Sequence, residues 1–322
     1  MSAYWLKRFF SAIILLVVIT FFSFCMMKMA PGDPTSMMMD PKIKAADLIQ
    51  LRKNMGLDQP LVFQYLLWCK QLLSGNFGYS LITGQPVLDA IQERLFPTLL
   101  LSLSSFVLML CITFPLGLLA GSLKDKFIDH FITILTFIGY SLPLFWLGLI
   151  LILLFSFQLG WFPTSGFMDV EMMDASLAMK TLNVLKHLAL PLLATLIVSC
   201  AGLTRYHRFS IISILNQPYI QAAKARGLSF KRILFKHAFK NAALPFITLL
   251  GLQLPGLIEG SFIIEYVFAW PGLGQLGVQA VFSRDYPIIM ATLLFSAILI
   301  LLGNALADLA YSLTDPRIRK PE

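Results

Sequence analysis

The apolar residues of this chain fall in blocks of about 20, and that grouping restricts the fold more than any other feature. A helix needs about 20 apolar residues to cross the roughly 30 Å hydrocarbon layer of a bilayer. A soluble core would show shorter amphipathic runs with a polar face. Six blocks read as spans, at about 9–29, 98–120, 131–157, 187–204, 243–265 and 287–310. Hydrophobic residues make up 57% of the 322 and charged residues 13%, about half the charged share of a soluble globule, so the chain reads as an all-α integral membrane protein.

The net charge of +8 does not point to nucleic acid, because the basic residues cluster between spans and not along a soluble groove. They set topology instead. With the N-terminus inside, segments 1–8, 121–130, 205–242 and 311–322 carry fifteen of the 25 Lys and Arg, eight of them in 205–242. The other ten are spread over many more residues, most in one long loop where charge counts for little, so both termini are expected inside. Lys7 and Arg8 before the run from Phe9 to Met29 also fit a signal peptide, but the run is long for one and ends in no small-x-small cleavage site. A retained first span is expected.

These spans divide the chain into 1–29, an outer loop 30–97, and a five-helix core 98–322 containing the inner loop 205–242. The outer loop has helical patterns of its own. One runs from Pro41 to Asn54, and a second runs from Leu61 to Leu73 and stops at Gly75. The third, Val87-Leu88-Ile91-Leu95, puts an apolar stripe on one face and leads to Pro97. It fits an interfacial helix packed on lipid or on its own neighbours, or a docking surface for an external protein.

The inner loop contains Gln217-Pro-Tyr-Ile-Gln-Ala-Ala-Lys-Ala-Arg-Gly227. Pro218 suits a first helical turn and Gly227 a C-terminal stop. Helical spacing puts Tyr219, Ala222, Ala223 and Arg226 on one face, where small side chains let another backbone approach. A second helix is expected after Ser229, with Phe230, Ile233, Leu234 and His237 as its apolar stripe. A lipid-facing amphipathic turn fits the isolated segment equally well.

The segment, with His237-Ala-Phe-Lys-Asn-Ala-Ala-Leu-Pro245 after it, resembles the coupling loop of ABC importer permeases of the dipeptide/oligopeptide type. The likeness extends along the chain. Its signatures are Ala30-Pro-Gly-Asp-Pro34, Gly56-Leu-Asp-Gln-Pro60, Gly75-Asn-Phe-Gly-Tyr-Ser80, Ser141-Leu-Pro-Leu-Phe-Trp-Leu-Gly148 and Leu159-Gly-Trp-Phe-Pro163. Glu265-Tyr-Val-Phe-Ala-Trp-Pro-Gly-Leu-Gly274, Arg284-Asp-Tyr-Pro287 and Asp315-Pro-Arg-Ile-Arg319 complete the set. The resemblance implies the type I importer permease fold with six transmembrane helices and a sizeable periplasmic loop after the first. It implies multi-pass residence in a bacterial inner membrane and a short helix that seats in an ATPase cleft. That coupling role passes to Tyr219, Gln221, Ala222, Ala223, Ala225, Arg226 and Gly227, and to His237, Asn241 and Pro245. Gln221 stands where the importer pattern has Glu, so no carboxylate role is carried over.

The implied partners are a second homologous permease, two ATP-binding-cassette ATPases, and a periplasmic or lipid-anchored solute-binding protein, all in a lipid bilayer. ATP and Mg are expected on the ATPases, since this chain has no Gly-x-x-x-x-Gly-Lys-Ser/Thr phosphate loop. Peptides are the expected solute, with nickel chelates or glutathione as alternatives within the family. A stand-alone secondary transporter would show inverted repeats or more intramembrane charge, and an intramembrane enzyme a reactive constellation; neither pattern is visible.

Glu259 is the sharpest candidate for the solute pathway, as a contact for a cationic or amine group, against the alternatives of an interfacial carboxylate or a pairing with the second permease. Glu265 and Asp308 are read as structural. Pro115, Pro143, Pro191 and Pro255 are expected to bend their spans. The methionines at 37–39 and the scattered His130, His187, His207 and His237 assemble no metal site, and Cys25, Cys69, Cys111 and Cys200 no disulfide framework.

Overall fold

The structure is a computed structural model that describes residues 2–29, 58–239, 241 and 262–314. The pattern at Pro41–Asn54, the methionines at 37–39, Pro255, most of the fifth span and the terminal Asp315–Arg319 signature lie outside the described residues. The described chain is helical apart from loops and one isolated antiparallel bridge, Tyr79 to Pro86.

The helices are α1 (Ser2–Met29), α2 (Leu61–Leu73), α3 (Val87–Ser122), α4 (Phe127–Ser141) and α5 (Leu144–Leu151). They continue with α6 (Leu177–Leu215), α7 (Pro218–Ala225), α8 (Phe230–Arg232), α9 (Leu273–Ser283) and α10 (Tyr286–Thr314). Wider π-helical turns follow α5 at Ile152–Gln158 and α8 at Ile233–Phe239. Among the described residues, stretches in α1, α3, α6 and α10 are long and apolar enough to cross a membrane.

The third span bends at Pro143 as expected, but the break is sharper than a kink in one rod. In place of one rod over 131–157, α4 and the α5 segment meet at 103°. Pro143 supplies no N–H to continue the ladder, and Leu142 before it is extended at φ −88° and ψ 128°. Pro97 and Pro115, by contrast, lie inside an unbroken α3. The stripe at 87–95 is therefore the first part of that 36-residue helix, not a separate interfacial one. Helix α6 extends past the expected span of 187–204 at both ends, from Leu177 to Leu215.

Two compact units make up the chain: Met1–Phe96 with Gly272–Leu301, and Pro97–Pro271 with Leu302–Glu322. The first is organised around aromatic and polar anchors. Tyr65 of α2 is buried against Phe21 and Phe24 of α1, ring centroids 5.1 and 5.8 Å away, and its hydroxyl lies 2.9 Å from that of Thr20. Val87 and Ile91 are fully buried against Leu273, Ala280 and Ile288. The buried Asp285 carboxylate accepts from the Ser80 hydroxyl and, at 3.1 Å, from the Leu81 N–H. The outer-loop signature and the Arg284–Pro287 signature thus meet in one contact.

The second unit has a core of Leu101, Leu147, Leu151, Leu188, Ala194, Ile264, Phe268 and Trp270. Trp270 donates its indole N–H to the Pro97 carbonyl at 2.9 Å, and Thr98 donates to the buried Glu265 at 2.7 Å. Glu265 is thus buried and hydrogen-bonded within this unit.

Helices α4 and α6 pack closely where Gly139 faces the Ile197 carbonyl; a Cβ at 139 would lie 2.9 Å from that oxygen. Gly202 is roomier, since a Cβ there would meet only Tyr140 at 4.0 Å. Gly139→Leu should destabilise the solubilised protein by about 1–3 kcal/mol, while Gly202→Ala stays within about 0.5 kcal/mol. Thermal unfolding of the two variants side by side checks this.

Candidate coupling site

Helix α7 has eight residues, and so short a helix is not stable alone in water. Its nucleation penalty is about 4 kcal/mol for a nucleation constant near 10⁻³. Burial of apolar side chains offsets it. Ile220 is completely buried and Ala223 nearly so, both against Ile233 of the following π-helical turn, with Ile214, Leu215 and Leu228 closing the sides. Burying Ile220 and Ile233 contributes about 1.5–3 kcal/mol each. The helix is therefore held by tertiary packing.

Its ends are set locally. Gln217 is extended at φ −68° and ψ 147°, and Pro218 fills the first turn, where a missing N–H costs nothing. At the other end Gly227 takes φ +76°, which a side chain would disfavour, and its N–H donates to the Lys224 carbonyl at 2.9 Å. The Arg226 side chain folds back, its Nε donating to the Ala222 carbonyl at 3.3 Å.

Gln221, Ala222, Lys224, Ala225 and Arg226 are exposed, and Tyr219 is 44% exposed. Ala223 is not part of that outward surface: helical spacing grouped it with Ala222, but the structure turns its methyl into the chain's own core. Ile220 and Ile233, which hold the helix in place, were missed as site residues; the branched apolar side chain amid small and basic neighbours was the available signal. The Tyr219 hydroxyl accepts from Asn241 Nδ2 at 3.0 Å, which joins two of the expected site residues across the segment. Beside them runs a groove of about 550 Å³ lined by Tyr206, Phe209, Ser213, Gln217, Tyr219 and Asn241.

The second inner helix is shorter than expected. Ser229 occupies the N-cap position but its side chain accepts no capping hydrogen bond, and after Arg232 the backbone widens into the π turn that contains His237. Ile233 and Leu234 are buried as the stripe requires, whereas Phe230 is 47% exposed. Lys231, Arg232 and Lys236 are exposed, leaving a basic surface with no acid in 205–242. Pro245 and Glu259 lie outside the described residues.

A further pair lies near the end of α6. Arg208 Nη2 donates to Asp129 Oδ2 of α4 at 2.7 Å and Nε donates to Oδ1, a two-pronged geometry open to arginine and not to lysine. Asp129 is 1% exposed, so removing the cation at 208 altogether would strand a buried carboxylate at about 3–5 kcal/mol. No sequence pattern linked these residues, which are 79 apart.

Helix α7 is thus a ledge packed on the end of α6, with a small-residue arc and basic flanks turned outward. Residues 113–320 match the family described as binding-protein-dependent transport system inner membrane component, and residues 1–104 match that family's N-terminal region. The chain belongs to this family. The oligopeptide transport system permease protein AppB of Bacillus subtilis (strain 168) is 46% identical over 99% of both chains. A probable peptide ABC transporter permease, y4tP of Sinorhizobium fredii, is 36% identical over 99% of this chain and 100% of its own length. In fold, the chain resembles inward-facing structures of the MetNI methionine ABC transporter. One has a TM-score of 0.58 and 17% identity, covering 71% of this chain and 98% of that one.

The chain is thus a permease component of an ABC importer, a multi-pass inner-membrane protein of a family that works with ATPase, solute-binding and permease partners. Among the described residues no group of His, Cys, Asp and Glu is arranged to hold a metal.

The division of α7 into two faces is open to a labelling test. In a cysteine-free background, Cys at 222 should react readily with maleimide in the solubilised protein. Cys at 223 should react at least about tenfold more slowly, because a buried thiol lacks access. Equal rates would contradict the packing.

Proposed function

We propose that this permease moves peptides inward across the membrane, driven by ATP hydrolysis on two partner ATPases that grip the outward face of α7. The observation that carries the reading is the ledge itself. Gln221, Ala222 and Ala225 are exposed on a helix whose other side is packed on Ile233, beside a basic surface. A cleft that closes on such a helix moves the span behind it. The peptide class is supported by the relatives named for oligopeptide and peptide transport over nearly the full chain.

The rest of the proposed assembly follows the charge pattern and the family. Both chain ends face the cytoplasm, the basic 205–242 segment lies inside, and the loop 30–97 lies on the periplasmic side. A second homologous permease completes the pathway, and the ATPases bind ATP and Mg. Six spans form when 243–265 is counted, with 98–322 as the permease core. His237 and Pro245 belong to the coupling segment, and Glu259 faces the solute path as a contact for an amine of the peptide.

Reconstituted vesicles holding both permeases, the ATPases and the binding protein should accumulate labelled peptide only with hydrolysable ATP. Cys at 222 should crosslink to an ATPase subunit, and Ala222→Trp should abolish uptake. Uptake on an ion gradient alone, or unimpaired uptake by the Trp variant, contradicts the proposal. Glu259→Gln should lower peptide uptake; unchanged uptake of every peptide tested removes that residue from the path.

A further inference from the structure

A carboxylate buried at the first turn of α4 needs a partner, and Asp129 finds its partner on α6. The fork from Arg208 is joined by the Asp125 N–H, which donates to Asp129 Oδ2 at 3.0 Å. Two parallel bonds to a planar carboxylate fix the rotation of the helices as well as their separation. Farther along, Arg205 of α6 lies over the rings of Phe137 and Tyr140 of α4, 4.7 Å from each centroid. Beyond these, Gly139 abuts the Ile197 backbone. The two helices are clasped at successive levels, with the ion pair at the end near α7.

Both ends of this clasped pair lead to a structural transition. Arg208 lies in the last turns of α6, and Ile214 and Leu215 of the same helix pack against the Ile220–Ala223 face of α7. At its far end α4 stops at Ser141, and the chain turns by 103° into the α5 segment, which carries Leu147 and Leu151 into the core.

The geometry points to Asp129 and Arg208 as positioning residues that bolt α4 to α6. A displacement of α7 is then passed through α6 to α4 and to the break at Leu142–Pro143, not lost as sliding between helices. Lys at 208 would keep the charge and lose the fork. Asn at 129 would keep the shape and lose the charge. This role rests on α7 being the coupling helix, and the test separates the two.

The test uses the complete importer in vesicles, with a mixed pool of isotope-labelled short peptides as probe, and measures peptide moved per ATP hydrolysed. Asp129→Asn and Arg208→Lys should assemble and hydrolyse ATP while that ratio falls roughly fivefold or more. The exchange Asp129→Arg with Arg208→Asp should recover part of it. A ratio unchanged in both single variants overturns the inference. So does a parallel loss of assembly, hydrolysis and uptake that leaves the ratio intact, or failure of all three variants to assemble, since the pair then serves folding alone. Crosslinking of Cys at 222 to the ATPase, followed in the same vesicles, reads the coupling role of α7 independently. Capture with an unchanged ratio removes only the bolt, whereas no capture removes the coupling helix itself.

Discussion

Ile220 and Ala223 lie against Ile233 and against Ile214 and Leu215 at the end of the 39-residue α6, and this small apolar contact holds α7 in place. Eight residues of helix in water would unfold more readily than they would transmit a push. Packed on Ile233, Ile214 and Leu215, the same residues cannot move without moving α6. The outward alanines, Ala222 and Ala225, leave a low exposed arc, which in the proposed assembly lets another subunit lie close. One short sequence therefore carries two requirements, assigned to opposite faces.

The same logic runs through the second unit, where polar contacts set helix positions that apolar packing alone would leave free to slip. Trp270 to the Pro97 carbonyl, Thr98 to Glu265, and Arg208 to Asp129 each join elements far apart in sequence. Buried polar pairs contribute little net stability but penalise misregister, because a displaced partner leaves a desolvated charge or donor behind.

Much of this was legible in the sequence where local chemistry decides the outcome. The apolar pattern with a stop at Gly75 delimited Leu61–Leu73, and the helix has those bounds. Pro218 and Gly227 bracketed α7 in the same way. The bend at Pro143 was legible but its size, 103°, was not, and Pro97, Pro115 and Pro191 sit inside continuous helices. The inward turn of Ala223 was hidden because Ala222 and Ala223 are adjacent and alike; only the position of Ile233, set by a π turn, distinguishes them. Contacts such as Asp129 with Arg208, and Ser80 with Asp285, join residues 79 and 205 apart, beyond the reach of any periodicity.

The central claim is that α7 offers one face to an ATPase while the other stays fastened to its own span. A structure of the assembled importer with nucleotide bound measures this directly. Gln221, Ala222 and Ala225 should be buried in the ATPase cleft, with Ile220 and Ala223 still seated on Ile233. An ATPase that docks elsewhere, or one that pulls Ile220 and Ala223 away from Ile233, would contradict it.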